Sequence, residues 1–367
     1  MKRTEFFLLF AILFSAGPAA AQDPTLYVQG FTDIRRFLFQ FRDGITRQLE
    51  QQPVRSYKAA GSIIAYANNA NDLIVVEDGV KSKLGDMTGT SYELNQAFLY
   101  YRRDQLLGVF QKGENKPLTY FIRDYKVSDS LLAFRDQVAD ILRVYKDGTI
   151  RELEITLTGR LNEYRTGENT VAYVNNTGFF KAYYQDQLWD VDNVAPESFE
   201  PGGNLVAFVD GFYQYLKVFY YGRLLVLEKL KPQSYQVGFE TVAYVSDDNS
   251  FKVFNRGKLL KIESFIPDFY LVRDRSVLFF LNNRLELISD GKRFELDEFM
   301  PTRYTMSDDH VAWMDANGRL MLFSEGKTQL VSQEAITAFS LNGAVLKYDL
   351  SDGTSRIWYR GKVYGNR

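Results

Sequence analysis

Few residues in this 367-residue chain have the types and spacing that chemistry needs. There is one histidine, His310, and it stands beside Asp309. A Ser-His-Asp triad would have to use it. No G-x-S-x-G stretch supplies the serine, and neither a P-loop nor a G-x-G-x-x-G followed by a helix occurs. Cysteine is absent, which removes disulfides, a thiol nucleophile and Cys/His zinc sites. The catalytic option left is a pair of carboxylates, as in glycosidases, and the chain carries 46 Asp plus Glu. Asn68-Asn69, Asn175-Asn176, Asp247-Asp248, Asn282-Asn283 and Asp315 have calcium-loop residue types. They lack the alternating ligand spacing and closing Glu, so turn formation is their expected role. No cofactor is expected. A net charge of −2 argues against a nucleic-acid partner.

The charged residues do fall in columns. Glu50, Glu154, Asp192, Glu228, Glu263 and Asp297 recur six residues after a repeated glycine. Arg223, Lys258, Lys292, Lys327 and Lys362 recur one residue after it. A strand between the two positions would hold them roughly 16 Å apart, so the two ends of the strands would differ in charge. A third candidate is an aromatic cluster, Tyr183, Tyr184 and Trp189, where one copy of the pattern departs from the others. It is a possible patch for a glycan or protein partner, with core repacking as the alternative.

The elements that must position these residues are repeats. The glycine column is Gly44, Gly79, Gly113, Gly148, Gly222, Gly257, Gly291, Gly326 and Gly361. Steps are 34 or 35 residues, save one of 74 that skips a member near Asp186, which makes ten copies. Thirteen residues after most members comes an aromatic: Tyr57, Tyr92, Phe199, Tyr235, Tyr270, Tyr304 and Phe339. Its constant spacing suits a wedge between copies better than a ligand site. Pro196, Pro232, Pro267 and Pro301 form a further column. Within a copy, Val242–Val245, Phe251–Phe254, Lys258–Ile262 and Phe269–Val272 read as short strands separated by turn residues. Four antiparallel strands per copy is the unit of a β-propeller blade.

The phrase Val242-Ala243-Tyr244-Val245, Phe251-Lys252-Val253-Phe254, Gly257-Lys258-Leu259-Leu260 resembles the WD40-like repeats of the TolB-type propellers. The resemblance covers most of residues 25 to 364. These copies are shorter than the usual ~40–45 residues, and no Trp-Asp signature recurs. It implies a scaffold or binding platform, in some members one of the cell envelope.

The expected fold is therefore all-β: a single wide ring of about ten four-stranded repeats, with two five-bladed rings meeting near 200–204 as the alternative. The last copy offers about three strands, Ala344 to Tyr364, so a strand at Thr25 to Gln29 is expected to complete it and close the ring.

Residues 1–21 have the layout of a secretory signal: Lys2 and Arg3, the apolar run Phe6 to Phe14, then Ala19-Ala20-Ala21. Nine apolar residues are too few to span a bilayer core of about 30 Å. No cysteine follows, so the lipoprotein route is closed. The propeller domain is then 22–367. The expected product is an exported, non-enzymatic scaffold that is periplasmic, outer-membrane-associated or secreted. Its expected partner is an envelope or outer-membrane protein, or a cell-surface glycan. The alternative is a carboxylate-dependent, glycan-active enzyme on the same fold.

Overall fold

The computed structural model describes residues 27–155 and 163–365. The expected signal at 1–21 and the irregular stretch from Thr156 onward lie outside them, apart from Glu163. Among the described residues there are thirty-nine strands and no helix. They form ten antiparallel sheets: nine of four strands and one of three. Blades 1 to 10 span Val28–Gln48, Ser56–Asp86, Thr90–Thr119, Ile122–Ile155, Tyr164–Asp192, Ser198–Glu228, Ser234–Glu263, Phe269–Asp297, Tyr304–Ser332 and Ile336–Gly365. Together they make one ring.

Each strand's place in its blade follows from its residues. Second strands such as Ile63–Ala67, Leu205–Val209 and Thr241–Val245 are buried along their whole length. Both faces of a blade are covered by the neighbouring blades, so these strands need no polar side. Fourth strands such as Arg223–Glu228 and Lys258–Glu263 are largely exposed and form the outer wall. First strands converge around the axis. Across them Tyr235 Oη donates to Ser198 Oγ at 2.9 Å, and Tyr270 Oη to Ser234 Oγ at 2.7 Å. The aromatic column thus wedges blade against blade: Phe199 packs on Phe180 of the preceding blade, ring centroids 5.0 Å apart.

The glycine column marks the turn between third and fourth strands. Its two central residues have positive φ, as at Arg256 (48°) and Gly257 (80°), the geometry that two-residue hairpins favour. In blade 5 the pair is Gln185 and Asp186, with Asp186 at φ 60°, so the missing member of the column is an aspartate in the left-handed region. At the other end of most fourth strands sits a β-bulge. Glu228 faces Leu216 and Val226 faces Lys217, which leaves Leu227 as the extra residue; Ile262 and Leu296 are its equivalents. A bulge increases the local twist of an edge strand and spoils it as a template for further pairing.

The ring closes differently from the expectation. Blade 10 is complete, because Ile336–Asn342 supplies its own first strand. Blade 1 is the three-stranded one, and Val28–Thr32 pairs with Leu38–Arg42 inside it. Residues 25 and 26 lie outside the described part. Closure is made instead by side chains and turns. Phe31 and Phe41 of blade 1 pack with Val345, Ile357 and Tyr359 of blade 10. The turns between first and second strands hydrogen-bond around the axis. Asn342 Nδ2 donates to Val28 O, Val28 N to Gly61 O, Asn95 Nδ2 to Ser128 O and Ser130 Oγ to Glu168 O. Thr170 Oγ1 donates to Gly202 O, Gly203 N to Gly238 O, Phe239 N to Asp274 O, Asp308 N to Asp274 Oδ2, and Gly343 N to Ser307 Oγ. This belt satisfies main-chain groups that the turns leave over and joins the first blade to the last.

Candidate functional site

The two charge columns lie at opposite ends of the fourth strands, and they behave differently. Arg223, Lys258, Lys292, Lys327 and Lys362 are exposed at the start of the strand, and none forms an ion pair among the described residues. The carboxylate column is tied to the next blade. Asp192 is 3.4 Å from Lys217 Nζ, Glu263 is 3.1 Å from Arg293, and Glu228 pairs with Lys252. Glu50 accepts from Tyr66 and Lys81, Glu154 lies 3.5 Å from Tyr173 Oη, and Asp297 accepts the Trp313 indole N–H at 2.9 Å. Burial alone would raise the Glu50 carboxyl, but the hydrogen bonds from Lys81 and the Gln51 amide hold it below its ordinary value.

The aromatic cluster is packed. Tyr183 and Tyr184 are buried in the cores on either side of blade 5. Trp189 lies over the Phe219 ring, centroids 5.7 Å apart, and against the turn at Gly222, where a Cβ would come within 3.1 Å of its indole. His310 opens a second strand with Nδ1 2.9 Å from Asp309 Oδ1. The Asx turns act as expected: Asn175 Oδ1 accepts from Thr177 N and Phe179 N, and Asp315 Oδ1 from Asn317 N and Arg319 N.

The chemistry gathers at the axis, in residues outside those columns. Asp129, Glu168 and Asp274 come from the inner turns of blades 4, 5 and 8, and one oxygen of each lies within 4.8 Å of the others. Carboxylates from opposite sectors therefore bridge this end of the channel. Asp308 of blade 9 adjoins them, with its amide on Asp274 Oδ2 at 2.8 Å and its own Oδ2 accepting Tyr27 Oη at 2.8 Å. Burial, then the neighbouring charges of Asp274, Asp129 and Asp308, push Glu168 up to about 9 against the pull of Arg275. Asp274 rises to about 6 by burial and by Asp308. Asp129 is raised by burial, with Arg273 opposing. Near neutral pH the cluster thus pairs a protonated Glu168 with an ionised Asp274. Among the described residues its three carboxylates are the group that could hold a hard divalent cation.

A sequence signal for part of this cluster existed. Asp274 and Asp308 fall seventeen residues after Gly257 and Gly291, at the position held by Gly61 after Gly44 and by Gly343 after Gly326. All four have φ between 50° and 53°. Local turn geometry accounts for Asp as well as Gly there, so only the closed ring reveals that the side chains meet.

The second feature is one-sided. Among the described residues off the strands, every exposed large apolar side chain but Tyr221 lies on the face made by the second-to-third-strand turns and the interblade connections. Several are adjacent pairs at loop tips, such as Tyr120-Phe121, Phe212-Tyr213, Phe265-Ile266 and Phe299-Met300. A cavity of about 90 Å³ lies toward this same face between blades 2 and 3, lined by Leu73, Leu84, Tyr101 and Leu106.

A family model described as a 10-bladed β-propeller domain matches residues 22–364. No curated protein matches. Among solved structures, a eukaryotic initiation factor is 12% identical, with 93% of this chain and 96% of that chain covered and a TM-score of 0.47. The computationally designed Ika8 protein is 16% identical, covering 84% of this chain and 97% of that one at a TM-score of 0.37. The CRINKLY WD40 ectodomain of the Arabidopsis thaliana receptor kinase ACR4 is 8% identical, covering 64% and 92% at 0.34. With ten blades closed in one ring and the family model spanning all of them, the chain belongs to the ten-bladed β-propeller family.

Proposed function

We propose that the chain is an exported scaffold of the cell envelope that binds another protein and catalyses no reaction. The signal layout of residues 1–21 and the absence of cysteine support export as a non-lipidated protein. The observation that carries the binding role is the one-sided display of apolar loop tips. Exposed apolar side chains gathered on one face mark an interaction site. The test is purification of the mature chain from its native envelope fraction, with mass spectrometry of co-eluting proteins. A stoichiometric envelope protein supports the reading. A chain that fractionates with the cytosol, or elutes alone, overturns it.

One observation favours a second reading, a carboxylate-dependent enzyme acting on a cell-surface glycan. The axial carboxylates combine a raised acid, Glu168, with an ionised neighbour, Asp274, the division of labour that glycoside hydrolysis uses. Their spacing, within 4.8 Å, is shorter than the ~5–5.5 Å that accommodates a glycosidic bond in retaining enzymes. Release of reducing ends from envelope polysaccharides, abolished by Glu168→Gln, would make this the function.

A further inference from the structure

From the distribution of charge on the apolar-tipped face, we infer that blades 6 to 9 dock a protein whose contact surface is apolar and rimmed by lysine and arginine. The inference rests on the scaffold reading and names its surface. Its centre is made by Phe212-Tyr213, Phe265-Ile266 and Phe299-Met300, with Phe212 75% and Phe265 62% exposed. These residues come from three separate loops on one side of the ring.

The charge around them selects the partner. Asp268 and Glu298 are exposed in the same loops and Asp247 in the blade 7 turn of the same face, and none of the three forms an ion pair among the described residues. The nearby cations are engaged in part. Lys231 pairs with Glu197, and the Arg303 guanidinium donates to Thr337 O and Ile336 O. Lys229 and Lys261 form no ion pair among the described residues, and Arg303 meets no carboxylate. An anionic bilayer attracts apolar tips flanked by Lys and Arg, whereas exposed acids adjoin these tips, Asp268 beside Phe265-Ile266 and Glu298 beside Phe299. A second copy would bring acid against acid. A basic-rimmed apolar protein surface satisfies both the tips and the unpaired carboxylates, and such complementarity acts mainly on association rate and on choice of partner.

The experiment places a photo-crosslinking amino acid at 212, 265 or 299, and at 223 and 327 on the opposite rim as controls, in the full chain expressed in its own cells. The expected result is one adduct of the same mass from all three face positions and none from the controls. The crosslinked partner peptide should carry apolar residues with Lys or Arg. Asp268→Lys with Glu298→Lys should cut the yield at 212 at least tenfold. Adducts confined to the control positions overturn the surface and leave the scaffold reading standing. An absence of adducts at all five positions overturns both. An adduct of twice the chain's mass shows a second copy as the occupant and overturns the inference. So does flotation of the purified chain with vesicles of 70% phosphatidylethanolamine and 30% phosphatidylglycerol.

Discussion

Replacing Glu168 with Gln should flatten the dependence of stability on pH in one window. In the fold its carboxyl titrates near 9, against 4.5 in the unfolded chain. Between those values the native state holds a proton that the unfolded state has released. Stability is therefore greatest below about 4.5 and falls as pH rises, at about 1.4 kcal/mol per unit. Asp274 adds its own loss between 3.8 and about 6, which wild type and variant share. The diagnostic range is pH 6 to 9, where three units give a ceiling of about 4 kcal/mol. Water reaches the partly exposed cluster and Arg275 opposes the shift, so we halve this to about 2 kcal/mol. Glutamine keeps the shape and removes the titration. Guanidinium midpoints at pH 6, 7, 8 and 9, in EDTA so that no cation neutralises the site, should fall for wild type and stay nearly level for Glu168→Gln. Parallel curves, or a variant that is the less stable at pH 9, would refute the reasoning. Either would mean that Glu168 is ionised in the fold and held by Arg275.

Gly202→Ala puts a Cβ 2.1 Å from Gly238 O, a backbone atom in the belt, and should cost more than 2 kcal/mol in thermal unfolding. Trp313→Phe leaves Asp297 Oδ2 without its indole donor beside a fully buried ring and should cost about 1–3 kcal/mol by denaturant titration. Asp210→Ala removes the acceptor for Phe212 N, Tyr213 N and Tyr215 N. Hydrogen exchange at 211–215 should accelerate while the second strands stay protected.

What the sequence made legible is what every blade junction repeats. The same packing problem recurs ten times, so the turn glycines, the aromatic wedge and the strand-end carboxylates recur in register. The ring closure was not legible, because it rests on Asn342 reaching Val28 and Gly61 across nearly the whole chain. The axial cluster was hidden for another reason. Asp274 and Asp308 sit where a left-handed turn residue is needed, so each looks fully explained by its own turn. Asp129 and Glu168 fall outside that register, on either side of the stretch that breaks the period in blade 4. Their convergence is a property of the closed ring alone. The loop-tip pairs were visible as Phe265-Ile266 before Pro267 and Phe299-Met300 before Pro301, but nothing in the sequence says which face those connections share.

The fate of the carboxylate column shows how repetition and function separate in this ring. Each column member is consumed by a cation, tyrosine or tryptophan of the adjoining blade: Lys217 for Asp192, Lys252 for Glu228, Arg293 for Glu263, Trp313 for Asp297. A charge that must hold a junction cannot also recruit a partner without weakening that junction. The acids free to act on a partner are those outside the column, Asp247, Asp268 and Glu298, in loops whose length and composition differ between copies. Blade 6 spends Asp210 to Tyr215 on the turn that blade 8 makes with Asn282-Asn283, and the longer turn is the one that presents Phe212 and Tyr213. Specificity belongs where the period fails, because ten equivalent positions around a ring cannot distinguish one direction of approach from another.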